Sequence, residues 1–443
     1  MEHEYLVVEN SPCLTGQVSL EGAKNAVLVI MASLILTKGK SRLTNVPASR
    51  DVYMMIALLT ELGAQVLFDE ASGMLEADTS CLDRWQVSVE IMKKMRASVL
   101  VMGPLLARHG KAHVALPGGC HLGERPIDLH LKAFARMGAT VEIMGEYLIA
   151  HASGLRPVRY IFNYPSVGAT ENMLMAAAAT PGVTEIVNAA LEPEVFDLVT
   201  VLRKMGAQIS YEMPATIRIE GCSNLQPIEH AIMFDRLEAG TLLLAAAATG
   251  GEISLPQAPA DSMELFLEKL YEMGHQVTIG AGGCGVHFKA TKTPKAVSFK
   301  TMPYPGFPTD LQAPMMAALC LADGISSIHE TVYENRMLHV RELQKMGAQI
   351  ELDGETAKIR GVEHLYGASV IATDIRASAC LVIAGLAAKG STMIAGVHHV
   401  QRGYHDLEKK LTALGAKIHY EKVSGDEANM MGDMRVSMTH KNV

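Results

Sequence analysis

The chain repeats itself, and the period limits what it can fold into. A helix-like stretch closes on a (Leu/Met)-Gly pair and then turns into a strand six times, at Leu62-Gly63, Met137-Gly138, Met205-Gly206, Met273-Gly274, Met346-Gly347 and Leu414-Gly415. Successive glycines lie 75, 68, 68, 73 and 68 residues apart. Glycine just past a helix supplies the left-handed conformation that closes the last turn. The alternation that follows, as in Ala348-Gln349-Ile350-Glu351-Leu352, reads as a half-exposed strand. Solenoid repeats run about 20–50 residues. The unit here is long enough to be a small αβ subdomain with its own sheet.

Upstream of each such glycine, an Ala- and Leu-rich helix also stops at glycine: Gly39, Gly110, Gly182, Gly250, Gly324 and Gly390. These helices are apolar nearly all round, which predicts burial. Each is followed by a short β-rich run such as Ser326-Ser327-Ile328-His329. The unit is therefore helix, strand, helix, strand, strand, and six units split into three plus three. The crossover is expected in the unhelical stretch from Ala215 to Met233. The run from Tyr5 to Val18 lacks a leading helix and is expected to complete the C-terminal half. The expected domains are 23–232, then a discontinuous 1–22 plus 233–421, with a flexible tail over 422–443. A chain of 443 residues has room for two or three domains at about 100–200 residues each.

Composition narrows the function. The longest apolar run, Ala26 to Leu36, covers 11 positions, where a membrane span needs about 20. The N-terminal Met-Glu-His-Glu-Tyr lacks the basic and apolar regions of a secretion signal. A net charge of −8 and a single Trp argue against a basic, aromatic nucleic-acid surface. The seven cysteines are scattered and form no CxxC pair, so neither a disulfide framework nor a zinc site is expected. The chain reads as a soluble protein of a reducing compartment, the cytoplasm, with no membrane and no nucleic-acid partner.

The polar residues that interrupt the apolar helices are not spread evenly. Thirteen residues before each closing glycine lie Arg50, Arg125, Pro193, Asp261, Glu334 and Arg402, where each unit's second helix is expected to begin. The first helices begin near Lys24-Asn25, Arg96, Thr170-Glu171-Asn172, Asp235-Arg236, Asp310 and Asp374/Arg376. A cation at a helix N-terminus opposes the macrodipole, whereas free amides together with Arg and Lys make an anion site. The ordinary alternative is that each cation pairs with a nearby carboxylate. Recurrence at matching positions favours a phosphate-bearing ligand bound between two pseudo-threefold domains.

The second unit carries an insertion, Leu116-Pro117-Gly118-Gly119-Cys120-His121-Leu122-Gly123-Glu124-Arg125-Pro126. Its glycines and prolines predict an exposed, mobile loop. Cys120 lies five residues from Arg125 and beside His121, neighbours that favour a reactive thiolate; His121 itself reads as an ordinary loop histidine. The other six cysteines read as small buried hydrophobes. Phe307-Pro308-Thr309-Asp310 places a carboxylate at a helix N-cap, where capping is worth about 1 kcal/mol. In an anion-binding cleft the same group could instead take a proton from a hydroxyl. Pro165 to Thr170 reads as a helix-start loop able to donate amides to phosphate.

Gly22-Ala23-Lys24-Asn25-Ala26, Met95-Arg96-Ala97-Ser98, Pro117 to Leu129, Ser166 to Thr170, Phe307 to Gln312, Glu334-Asn335-Arg336, Asp374 to Ser378 and Arg402-Gly403-Tyr404 resemble the UDP-N-acetylglucosamine enolpyruvyl transferases. The resemblance runs in order over residues 4–420. It implies an α/β fold of two inside-out α/β barrel domains, six βαβαββ-like repeats in all, three to each domain, with the active site in the cleft between them. It also implies transfer of the enolpyruvyl group of phosphoenolpyruvate to the 3-hydroxyl of UDP-N-acetylglucosamine, the entry step of peptidoglycan synthesis, with no metal or organic cofactor. By this resemblance Lys24, Asn25, Arg125 and Arg402 hold phosphoenolpyruvate and its phosphate. Cys120 donates the proton and can bond to the enolpyruvyl carbon, while Asp310 lies near the sugar hydroxyl as a base. Asn25, Arg96, Arg125, Pro126, Ile127, Asp128, Leu129, Tyr164, Pro165, Ser166, Val167, Gly168, Asp310 and Val332 match nucleotide-sugar contacts. Arg336, Asp374 and Arg376 match further residues of the cleft.

The sequence departs from the pattern in three respects: the tail past Tyr420 is longer than the family usually needs, and two positions differ. Glu124 stands beside Arg125 where a small or uncharged residue is expected, and Leu191 stands where Asn-Ala-Ala-Arg-Glu-Pro-Glu would have arginine. Two other readings remain open. A shikimate-3-phosphate enolpyruvyl transferase shares fold and donor but lacks the loop cysteine. A catalytically weak paralogue would bind the UDP-sugar and regulate. A monomer or weak homo-oligomer is expected.

Overall fold

The computed structural model describes residues 2–11, 13–115 and 127–424. These form two compact units, one of residues 21–115 and 127–234, the other of residues 2–20 and 235–424.

In each unit apolar helices are wrapped by small sheets, and the helix sequences explain why. Helix Arg236–Thr249 is buried without interruption from Arg236 to Ala247. Helix Gln312–Leu319 is buried throughout, and Ile375–Ala387 from Arg376 to Leu386. A helix with no polar face has to be covered on every side, and these three are covered by one another and by the sheets. Lys24–Ser33, Met102–His109 and Val167–Ala178 are the corresponding central helices of the first unit. More amphipathic helices, such as Pro193–Met205, lie outside them with one face exposed.

Among the described residues, six small sheets surround these helices, and they share one plan. In one, Phe299–Lys300 runs parallel to Ile325–His329, which pairs antiparallel with Thr356–Arg360. Gln349–Asp353 then closes a hairpin on that strand, with Ile350 opposite Ile359. The sheet of Lys111–Ala115, Tyr147–His151 and Thr140–Met144 has three strands. Its fourth is reduced to a single parallel bridge between Gln86 and His113. The N-terminal strand Glu2–Glu9 pairs with both Ser391–Ala395 and Ile418–Ser424. The next strand, Thr15–Gln17, runs parallel to Glu252–Pro259. The first residues of the chain thus finish sheets of the C-terminal unit.

The six glycines that close the outer helices all have positive φ, between +92° and +119°. At Gly206, where φ is +119° and its amide caps the turn onto Arg203, an L side chain would be strained. The units divide at 20/21 and 234/235, two residues outside the expected 23–232, and the start of the tail also differs from the sequence reading. Strand Ile418–Ser424 pairs in register through Ser424 opposite Glu2, so the chain is still in the sheet at 422–424, where the tail was expected to begin. The rest of that stretch, 425–443, lies outside the described residues. No described helix is long and apolar enough to cross a membrane.

Candidate active site

A buried polar cluster of the C-terminal unit forms around Asp310. Its carboxylate does not cap the following helix, as Pro-Thr-Asp suggests; the 3-10 turn Thr309–Leu311 and helix Gln312–Leu319 have no side-chain cap bond. Instead Arg336 Nη2 donates to Oδ1 at 2.7 Å and Arg376 Nη2 donates to Oδ2 at 2.8 Å. The two guanidiniums are 3% and 7% exposed and the carboxylate 25%. Burial by itself would raise the Asp310 pKa, but the charges of Arg376 and Arg336 overcome it and hold the carboxyl well below the usual range.

Each arginine has further support. Arg376 Nη1 donates to the Tyr404 hydroxyl at 2.9 Å, and that hydroxyl also meets Thr241 Oγ1 at 3.0 Å. Burial raises the Tyr404 pKa, so the phenol stays neutral and available as an acceptor. Arg336 Nη1 donates to Thr309 Oγ1 at 3.1 Å, and its guanidinium lies 5.1 Å from the centre of the Tyr333 ring. Its Nε finds no partner among the described residues. His339, also buried beside this group, is pushed down to about 4, mainly by desolvation. Asp374 caps helix Ile375–Ala387 through the amides of Arg376 and Ala377 at 2.8 and 3.0 Å. It therefore places Arg376 rather than pairing with it. Glu330 was not flagged by the sequence. It is 2% exposed and accepts from Thr301, Thr309 and the amides of Val332 and Tyr333.

Arg402 differs from its expected setting. It lies in the last turn of the short helix His398–Gly403, where a cation complements the dipole, and not at the start of helix Leu407–Ala413. The following Gly403 is required by packing, since a Cβ there would sit 2.1 Å from Ile375 Cγ2. Glu334 also precedes its helix, His339–Lys345, by several residues.

In the N-terminal unit, Lys24 opens helix Lys24–Ser33 as expected and pairs with Asp51 at 3.2 Å, both side chains being largely buried. That is the ordinary ion-pair arrangement. Asn25 beside it is exposed. Arg96 starts the 3-10 turn Arg96–Val101. Asp128 begins helix Asp128–Arg136 and accepts from Lys132 at 2.7 Å, while Ile127 and Leu129 rest against the core. Tyr164 is 39% exposed; Pro165, Ser166, Val167 and Gly168 are half-buried. Ser166 caps helix Val167–Ala178, accepting from Ala169 N. Gly168 sits against His130, where an added Cβ would lie 3.3 Å from Cε1. His130 in turn meets Asn172, which accepts from Gly103 N and donates to Val99 O. Helix Val167–Ala178 also carries the buried Glu171, whose carboxyl is held well above the usual range by desolvation and by Glu194 and Glu192. Cys120, Arg125 and Pro126 lie outside the described residues. Of the remaining cysteines, Cys320 and Cys380 are buried as expected, but Cys13, Cys81 and Cys284 are exposed. Among the described residues no group of three or more His, Cys, Asp or Glu is arranged to hold a metal ion.

A family model described as EPSP synthase (3-phosphoshikimate 1-carboxyvinyltransferase) matches residues 8–411. The chain is 49% identical over 413 residues to UDP-N-acetylglucosamine 1-carboxyvinyltransferase 1 of Caldanaerobacter subterraneus subsp. tengcongensis, covering 93% of this chain and 98% of that one. The chain belongs to the enolpyruvyl transferase family. A second family member, the UDP-N-acetylglucosamine 1-carboxyvinyltransferase of Geotalea uraniireducens, is 46% identical over 413 residues, with the same coverage. Among solved structures, the enolpyruvyl transferase NikO from Streptomyces tendae superposes with a TM-score of 0.87 at 26% identity, over 96% of this chain and 100% of that one. EPSP synthase from Acinetobacter baumannii follows at 0.73 and 17% identity, over 95% and 100%, a likeness of fold alone. The α/β architecture of the two units is thus the enolpyruvyl transferase fold.

Proposed function

We propose that this enolpyruvyl transferase moves the enolpyruvyl group of phosphoenolpyruvate onto the 3-hydroxyl of UDP-N-acetylglucosamine and releases phosphate, opening peptidoglycan synthesis. The observation that carries the reading is the contrast in identity. Relatives bearing the UDP-N-acetylglucosamine name match at 45–49% over nearly their whole length. The EPSP synthases, which share the fold, match at 17–18%.

The chemistry is an addition followed by an elimination. The methylene carbon of phosphoenolpyruvate gains a proton while the sugar oxygen bonds to C2 and loses its own. The methyl group then returns a proton and the C2–O bond to phosphate breaks. In this proposal Cys120 supplies the first proton, and Lys24, Asn25, Arg125 and Arg402 take the donor's anionic groups. The nucleotide sugar is held by Asn25, Arg96, residues 125–129 and 164–168, Asp310 and Val332. The paired guanidiniums amend the role of Asp310. A carboxylate held so far down stays ionised but is a weak base. Its strength lies in accepting the sugar hydroxyl and fixing its direction. The substrates are water-soluble anions, in keeping with a cytoplasmic enzyme working as a monomer or weak homo-oligomer.

The test is phosphate release from phosphoenolpyruvate with either acceptor. Turnover that depends on UDP-N-acetylglucosamine supports the proposal. Turnover with shikimate-3-phosphate instead, or binding of the UDP-sugar with no phosphate released, refutes it.

A further inference from the structure

We infer that Glu330 is a positioning residue for this reaction: one buried carboxylate that aims Arg336, and through it Asp310. The inference rests on the proposed enolpyruvyl transfer to a nucleotide sugar. Glu330 follows strand Ile325–His329 and is 2% exposed. Its Oε1 accepts from Thr301 Oγ1 at 2.8 Å, Thr309 Oγ1 at 3.1 Å, Val332 N at 2.9 Å and Tyr333 N at 3.2 Å. Its Oε2 accepts from Thr309 Oγ1 at 2.9 Å.

The direction of these bonds is what matters. A guanidinium only donates, and a hydroxyl has a single proton. Thr309 therefore gives its proton to Glu330 and turns its lone pairs to Arg336 Nη1, 3.1 Å away. The two amide bonds fix the backbone at Tyr333, whose ring lies 5.1 Å from the same guanidinium. Both contacts that aim Arg336 thus trace back to Glu330, and Arg336 Nη2 reaches Asp310 Oδ1 at 2.7 Å. The same carboxylate holds the amide of Val332, a proposed nucleotide-sugar contact. A glutamate that merely capped this turn would need only the amide bonds. The bifurcated hydrogen bond from Thr309 couples the turn to the Asp310 cluster.

Glu330→Gln keeps the shape but puts an N–H donor where Oε2 accepts from Thr309, so that the hydroxyl's lone pairs are contested between that N–H and Arg336 Nη1. In the full-length enzyme the KM and the calorimetric Kd for UDP-N-acetylglucosamine should rise about tenfold or more, with KM for phosphoenolpyruvate held within about twofold. Thr309→Val breaks the same link from the other side, and the double variant should be no worse than the more affected single, since the two act in series. Folded variants with an unchanged nucleotide-sugar KM, or losses that multiply in the double variant, overturn the inference. If Glu330→Gln does not fold, Thr309→Val decides alone: an unchanged KM there overturns it. A wild type that releases no phosphate overturns the activity reading and this inference with it, whereas an active wild type with an indifferent Glu330→Gln overturns this inference only.

Discussion

Replacing Asp310 with asparagine should destabilise the protein as well as slow it, and the size follows from what the substitution leaves behind. Arg336 and Arg376 point their Nη2 groups at one carboxylate from 2.7 and 2.8 Å, and their side chains are 3% and 7% exposed. Without the negative charge, two buried cations face each other. Breaking a buried ion pair by removing one partner costs roughly 3–5 kcal/mol. Here Arg376 keeps Tyr404, Arg336 keeps Thr309, and Asp310 itself is a quarter exposed. The low end, about 3 kcal/mol, is therefore expected, which for a unit of roughly 200 residues lowers Tm by about 6–12 °C. The assay is scanning calorimetry of Asp310→Asn beside the wild type, without substrates. The pH dependence is a second check. A carboxyl whose folded pKa is depressed contributes stability above its unfolded value, near 3.9, and loses it as pH falls toward the folded value. The difference between wild type and variant should accordingly be flat from about pH 5 to 9 and shrink only in stronger acid. For the same reason, an acid limb of kcat between about pH 5 and 7 is not the titration of Asp310. Adding Arg336→Met to Asp310→Asn should recover part of the lost stability, since one orphaned charge is gone. A Tm for Asp310→Asn that is unchanged or raised, the usual result of removing a strained catalytic group, would refute the reasoning.

His275 stands in the closing motif where the other five units have alanine; it is 2% exposed and pushed down to about 4 by desolvation. The unfolded chain takes up its proton first, so stability should fall by roughly 3 kcal/mol in all as pH drops from 6.5 to 4, and urea titrations of His275→Ala should lack that share of the acid loss. Lys24→Ala should abolish turnover and, because Asp51 at 6% side-chain exposure loses its 3.2 Å partner, also lower Tm; full stability with lost activity would mean the pair is not structural. Fosfomycin, an epoxide phosphonate resembling the donor, should inactivate the enzyme faster with UDP-N-acetylglucosamine present and leave one adduct on Cys120 by peptide mass spectrometry, although Cys13, Cys81 and Cys284 are exposed to ordinary thiol reagents. Cys120→Ser should lose nearly all activity while Cys120→Asp keeps some; an adduct elsewhere would count against the assignment.

Some of this was legible in the sequence and some was not, and the division is physical. The glycines were legible because their constraint is local: a helix that ends in a left-handed turn needs glycine whatever surrounds it, and all six closing positions have that backbone. The apolar helices were legible because a helix without a polar face has only one place to go. Arg402 was misplaced because a fixed offset of thirteen residues assumes that every unit starts its second helix alike, and the last unit puts the short helix His398–Gly403 first. Three of the six cysteines expected to be buried are exposed, since strand or helix context does not say which face a residue takes. Asp310 shows the limit most clearly. Asp235, Asp374 and Asp310 all precede apolar helices and look alike in sequence. The first two do cap, each accepting two amides of its own helix. Asp310 has the same local option, but it is engaged by guanidiniums 26 and 66 positions further along the chain. A charge-assisted pair in a buried setting outcompetes neutral amides, and whether such a pair is available is decided by the fold rather than by the flanking residues. The aspartate that fails to cap its helix is thus the one whose carboxylate the surrounding fold has engaged for another task.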